Sequence, residues 1–249
     1  MFWELFARKF WKFFYINAIY VLFCLPVVTF GPATVAMSQV MRKFTLEQPI
    51  FIFDEFWRTF KRNFKQGLIV GILDIIFILV FVNSFFTYIT IAEESQGFFN
   101  LAVISVMVAT GAFILMMHFY IYPQIACLSL SLKQIIRNSM LLTVYGIGRN
   151  LITLLFTILT VIVMYLFPIS LVFLPVLPFA WLNFLMVFNA YPVITKHIIT
   201  PFYEAKGEKN PEIPDFNEDE ANEKALFEDF GGREAVIKSK PKPKGKIIK

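Results

Sequence analysis

Apolar residues run almost unbroken over five stretches of the chain, residues 13–29, 67–92, 98–122, 151–167 and 176–194. Runs of about 17 to 26 such residues are the length of a helix crossing a hydrocarbon layer about 30 Å thick. Residues 53–66 follow another period. Phe53, Phe56, Trp57, Phe60 and Phe64 fall in a helical stripe about 100° wide, while Arg58, Lys61, Arg62 and Lys65 project elsewhere. That profile predicts a helix lying in the headgroup layer. Its aromatic face would sink about 5 to 10 Å and its cations would stay with anionic lipid phosphates. A helix packed on a soluble core is the alternative.

Prolines and charges divide these runs. The first ends in L-P-V-V-T-F-G-P-A-T, residues 25–34, where Pro26 and the pair Gly31 and Pro32 cannot continue an unbroken helix without losing backbone hydrogen bonds. The chain must bend or unwind there, and Pro32 can open a new helix that runs to about Phe44. Residues 93–97 make a short turn, so the second and third runs form a tight hairpin. Residues 1–12 alternate bulky aromatics with Arg8, Lys9 and Lys12, as an interfacial anchor would. A cleavable signal peptide fits less well, because of the aromatic leader and Pro26. Residues 124–150 resemble residues 53–66 in layout and should lie on the same surface.

Composition agrees. Of 249 residues, 57% are hydrophobic and only 16% charged, with a mean hydropathy of +0.65, whereas soluble domains are about one quarter charged. The net charge of +5 does not imply nucleic acid, since the cations sit in short blocks beside apolar runs and no nucleic-acid motif is present. Cys24 and Cys127 have neither the number nor the spacing of a disulfide framework or a zinc site.

The cations also set orientation. Residues 33–66 hold six lysines and arginines and residues 124–150 hold three, whereas the turns at 93–97 and 168–175 hold none, which places the charged connections and the carboxyl end in the cytoplasm. Residues 204–249 carry 11 acidic and 10 basic residues and too little apolar surface to offset ordering, so they read as a disordered cytoplasmic tail on a membrane domain of residues 1–203. Five spans would put the amino terminus outside, against Arg8, Lys9 and Lys12. A re-entrant or sixth segment at residues 32–44 would put it inside, although it would cover only some 20 Å as helix. Five spans are preferred.

Ionisable groups inside a bilayer cost roughly 2.5 to 3.5 kcal/mol each, so every one needs a partner. Asp74 and His118 are the two in the apolar runs. Asp74 lies 21 residues before Ser95 and His118 lies 23 after it, which puts them at similar depth in an antiparallel hairpin. As a pair they could relay a proton or bind a polar ligand. Separately, Asp74 could be satisfied by water or a basic neighbour, with His118 bonded to a carbonyl. Asn83, Thr110, Asn183 and Asn189 read as interhelical hydrogen-bonding groups. Catalytic, cofactor-binding and metal-binding motifs are lacking, so no enzyme and no cofactor is expected.

L-P-V-V-T-F-G-P-A-T-V-A at residues 25–36, F-W-R-T-F-K-R-N-F-K-Q-G at residues 56–67, Tyr122 with Pro123, and L-S-L-K-Q-I-I-R-N-S at residues 130–139 resemble the YesL-like family of bacterial integral membrane proteins. The likeness covers roughly residues 10 to 200. It implies an all-α, polytopic protein of the bacterial cytoplasmic membrane from a domain family of unknown function, whose members look like companions of carbohydrate uptake systems in Gram-positive bacteria. No active residues carry over. The resulting expectation is about five transmembrane helices plus interfacial amphipathic helices. The function expected is that of an accessory or regulatory component, with the lipid bilayer and sugar importer permease or ATPase subunits as partners. The loop by which importer permeases engage their ATPase, E-A-A followed three residues later by glycine, has no match. Alternatives are a small-solute transporter or channel, whose path the broken first span could line, and a structural or lipid-interacting protein.

Overall fold

The computed structural model describes residues 2–94, 98–167, 177–208 and 210. These are helical and contain no strand. The helices are α1 (Phe2–Arg8), α2 (Phe10–Cys24), α3 (Phe30–Thr45), α4 (Ile52–Arg62), α5 (Phe64–Glu94), α6 (Phe98–Cys127), α7 (Leu132–Tyr145), α8 (Ile147–Leu166), α9 (Pro178–Ile194) and α10 (Thr200–Lys206). A π-turn, Thr195–Ile199, joins α9 to α10 without a break.

α3 is the centre of the fold. It touches α2, α4, α5, α6 and α9, and thirteen of its sixteen residues are buried. Pro32 falls in its first turn, where the missing N–H would have had no helical partner, and Arg42 and Lys43 fall in its last turn, where cations meet the negative end of the helix dipole. α9 supplies the facing surface. Ala180, Asn183, Phe184, Val187, Ala190, Tyr191 and Ile194 recur three and four residues apart along it and are all buried. Polar side chains stitch these helices together. The Asn17 carboxamide oxygen accepts the Ala180 N–H at 2.8 Å, Tyr20 and Thr34 share a hydroxyl bond at 3.1 Å, and Asn183 donates to Ser38 at 3.2 Å. Asn189 reaches Thr153 on α8 at 2.9 Å, whereas Asn83 and Thr110 make no interhelical side-chain bond among the described residues.

The expected break between residues 25 and 34 is present. α2 stops at Cys24, and a single 3₁₀ turn, Val27–Thr29, leads into α3. The Thr29 hydroxyl covers the freed backbone, contacting the Pro26 carbonyl at 2.6 Å and the Phe23 carbonyl. Beyond the break, α3 and α5 meet backbone to backbone. A Cβ on Gly31 would lie 2.9 Å from the Gly71 Cα, one on Gly67 would lie 2.8 Å from the Pro32 Cα, and one on Gly71 would lie 2.8 Å from the Gly31 backbone. Gly67 and Gly71 form the G-x-x-x-G spacing that lets apolar helices approach closely.

Among the described residues, three helices are long and apolar enough to cross a membrane, namely α5, α6 and α8. The other two expected spans correspond to α2 and α9, of 15 and 17 residues, which reach about 22 and 25 Å as helix and pack in the core. The amino-terminal aromatics also differ from expectation. Phe2 and Phe6 pack their rings on Trp181 and Phe184, and Trp3 and Trp11 remain exposed. The expected turn at 93–97 lies largely outside the described residues, as does the tail beyond its first few positions. The boundary at 203–204 falls within α10.

Candidate functional site

α5 carries Asp74 ten residues after its start, and α6 carries His118 nine residues before its end, so both side chains lie about 14 to 15 Å along the hairpin from the same side. The structure brings them together. His118 Nε2 is 2.7 Å from Asp74 Oδ1, and His118 Nδ1 is 2.7 Å from the Ile114 carbonyl of its own helix. Tyr122, one turn after His118, donates its hydroxyl to Asp74 Oδ2.

These partners constrain the protons. A carbonyl oxygen only accepts, so Nδ1 carries hydrogen. The Nε2 to Oδ1 bond then holds one further proton, on the imidazole with an ionised Asp74 or on Asp74 with a neutral imidazole. Both placements leave the pair without net charge, which is what a carboxylic acid in hydrocarbon requires. Both also allow one proton to pass between the two residues without rearrangement of heavy atoms.

The trio borders an open-sided cavity of about 220 Å³, closed by Phe30, Phe77, Ile78, Gly111, Ile114 and Leu115. Its walls are almost wholly apolar, and its polar groups converge at one end. The space is below the 300 to 1,000 Å³ usual for drug-sized ligands and suits a few waters or a small solute. Tyr122 was absent from the expected pair. Its position four residues after His118, on the same helical face, was the available signal.

The expected membrane-surface helix is divided. Residues 53–66 are not one helix, because α4 ends at Arg62, Asn63 turns its carboxamide back to the Thr59 carbonyl at 3.1 Å, and α5 begins at Phe64. Nor does its aromatic stripe face outward as a unit. Phe56 is 0% and Phe60 8% exposed, each with its ring 5.1 Å from Phe23 at the end of α2, so protein and not lipid covers them. Phe53, Trp57 and Phe64 are exposed at the edge, together with Arg58, Lys61, Arg62 and Lys65. Periodicity identified the apolar face but could not say what it meets.

Beneath α4 lies a polar cluster that sequence reasoning missed. Glu55, 4% exposed, accepts Gln39 Nε2 at 3.1 Å on one oxygen and pairs with Lys43 at 2.8 Å and with Arg58 on the other. Gln39 Oε1 accepts Arg42 Nε at 3.2 Å, and Arg42 donates to the Tyr191 hydroxyl at 3.1 Å with its guanidinium over that ring. The chain of contacts ties α4 through α3 to α9. Burial pushes the Glu55 carboxyl up, but hydrogen bonds from Lys43 and Gln39 and the charges of Lys43 and Arg58 outweigh it and hold the group below its ordinary range. Arg62 is exposed as a residue, but the partial burial of its guanidinium, which donates to the Ala126 carbonyl at 3.1 Å, lowers its pKa. Gln39, Arg42 and Lys43 share one face of the helix, and that spacing was the legible sign.

Among the described residues, no group of three histidine, cysteine, aspartate or glutamate side chains is placed to hold a metal ion. No curated protein and no solved structure matches the chain. Residues 13–86 match the model of a family described as Protein of unknown function, DUF624, a likeness that takes in the break at Pro26, the α3 and α4 residues of the Glu55 cluster and Asp74 but stops short of His118, Tyr122 and Tyr191.

Proposed function

We propose that the chain is a multi-pass, non-enzymatic, YesL-like protein of the bacterial cytoplasmic membrane. In this reading it serves carbohydrate uptake as an accessory or regulatory component and is not the permease. The observation that carries the choice over a transporter is the closed break. A transport path through a discontinuous helix uses freed backbone groups that face a cavity. Here the Thr29 hydroxyl lies against the carbonyls of Phe23 and Pro26, so a side chain of the break itself already serves the freed backbone groups.

Five spans, α2, α5, α6, α8 and α9, would put the turn of the α5–α6 hairpin outside and the carboxyl end in the cytoplasm. Support comes from Lys61, Arg62, Lys65, Lys133 and Arg137, which gather where α5 begins and α6 ends. The division into a membrane domain, residues 1–203, and a charged tail, residues 204–249, rests on composition. α4 and α7 would contact a sugar importer permease or its ATPase. α4 offers exposed Arg58 and Lys61, and α7 offers exposed Ile136, Met140 and Leu141.

The Asp74, His118 and Tyr122 trio favours the second reading, a small-solute transporter or channel, because hydrogen-bonded ionisable groups at membrane depth mark many proton and substrate paths. Gentle purification from native membranes, with identification of every retained chain, separates the two. Retained permease or ATPase chains support the accessory role. A chain that comes out alone and moves solute in liposomes contradicts it.

A further inference from the structure

The hairpin opens at its α5-start, α6-end side onto a cleft of about 690 Å³. Lys61, Arg62 and Lys65 form one wall, and the connection from α6 to α7, with Ser129 and Ser131, forms the other. Two hydrogen bonds hold the walls in register. Arg62 donates to the Ala126 carbonyl at 3.1 Å, and Gln66 donates to the Leu130 carbonyl at 3.0 Å.

The charge on this cleft is one-sided. Among the described residues no carboxylate lines it, and buried Glu55 is already taken by Lys43, Arg58 and Gln39. Lys61 is held only over the Trp57 ring at 4.3 Å, and neither Lys61 nor Lys65 pairs with a carboxylate among the described residues. Three cations that share a wall repel one another, and a bound anion relieves that repulsion. Ser129 lines the same space, and its hydroxyl has no protein partner among the described residues, so it is free to donate to an oxyanion.

Depth narrows the class of anion. Phe64 lines the cleft and also opens the 27-residue apolar stretch of α5, so the site sits where polar surface gives way to hydrocarbon. Phosphate groups of lipids lie at that level.

We propose that this cleft binds a phosphate group, with Lys61, Lys65 and Arg62 neutralising it and Ser129 donating to it, and that its position suits the headgroup of an anionic glycerophospholipid. The site does not require an accessory role in sugar uptake, although Lys61 belongs both to this cleft and to the α4 surface assigned to that role. It requires only the walls described and, for a lipid ligand, that α5 and α6 cross the bilayer.

The test uses the full chain in nanodiscs of phosphatidylcholine, with and without phosphatidylglycerol, and in detergent with inorganic phosphate. Bound lipid is counted by native mass spectrometry and phosphate binding is read by thermal shift. The double variant Lys61→Gln with Lys65→Gln removes two exposed cations, and Lys12→Gln, an exposed cation elsewhere, is the control. Preferential retention of phosphatidylglycerol that falls by about tenfold or more in the double variant, but not in the control, supports a lipid headgroup. A phosphate-dependent shift with the same variant pattern, without lipid preference, supports a soluble phosphate compound in the same cleft. Binding of neither, or binding that is equal in the double variant and the control, overturns the site. Unchanged melting of the unliganded variants shows that loss of binding is not loss of fold.

Discussion

α3 and the α5–α6 hairpin invert the usual relation between hydrophobicity and burial. α3 carries Thr34, Ser38, Gln39 and Arg42, yet thirteen of its sixteen residues are buried. The most apolar 18-residue windows of α5 and α6 have mean hydropathies of 2.6 and 2.2, yet only 11% and 0% of the residues in those windows are buried inside the protein. In water this arrangement would expose a far larger apolar patch than monomers tolerate. In hydrocarbon it is the expected one, because lipid provides the hairpin's apolar surroundings and polar groups must turn inward to one another. α3 is buried because its polar groups have partners there. The apolar windows of the hairpin are exposed because they have few polar groups to satisfy, and Asp74 is met by His118 and Tyr122.

That contrast breaks most readily where the two regions touch. Gly67→Val would drive a side chain into the backbone at Pro32, and α3 and α5 would have to separate. A loss of about 3 kcal/mol or more, or no folded protein at all, is expected by thermal unfolding in detergent. Gly148→Val is the comparison, since open space surrounds that position, and a change within about 0.5 kcal/mol is expected there.

A smaller effect should follow from isolating the hairpin's buried acid. His118→Ala leaves Asp74 with Tyr122 alone and should destabilise by about 2 to 3 kcal/mol. His118→Ala added to Asp74→Asn should then cost much less than the two singly. A double-mutant cycle with additive effects would mean that the pair is not coupled.

Glu55 sharpens the other side of the comparison. Its carboxyl is held below the ordinary value, so its contribution is fully present above the unfolded-state value near 4.5 and is lost as pH falls through the lower folded-state value. Glu55→Gln should cost about 1 to 2 kcal/mol at neutral pH and flatten the melting profile below pH 4.5. An unchanged acid profile would remove Glu55 from the account.

Much of the hairpin was legible in the sequence because long apolar runs have one physical meaning. α5, α6 and α8 follow from length and hydropathy, the break follows from Pro26, Gly31 and Pro32, and the shared depth of Asp74 and His118 follows from helix rise. The protein-packed half was harder to read for the same physical reason. Arg42, Lys43 and Glu55 look like surface charges until the fold pairs them. The stripe from Phe53 to Phe64 is equally amphipathic against lipid or against Phe23, so its inward turn at Phe56 and Phe60 is a tertiary fact. The α3–α5 contact was written as Gly67 and Gly71, four residues apart, and only its partner Gly31 gave that spacing a meaning.

The most direct test asks what medium surrounds the hairpin. Nitroxide labels at Leu79 on α5 and Val106 on α6, both 66% exposed, would be introduced one at a time in lipid bilayers after replacement of Cys24 and Cys127, with a label at Lys61 as reference. Collisions with oxygen should exceed those with a water-soluble nickel chelate at Leu79 and Val106, and the order should reverse at Lys61. Nickel-dominated collisions at both hairpin positions would mean that water bathes these helices, and the reading of this chain as a membrane protein would fail.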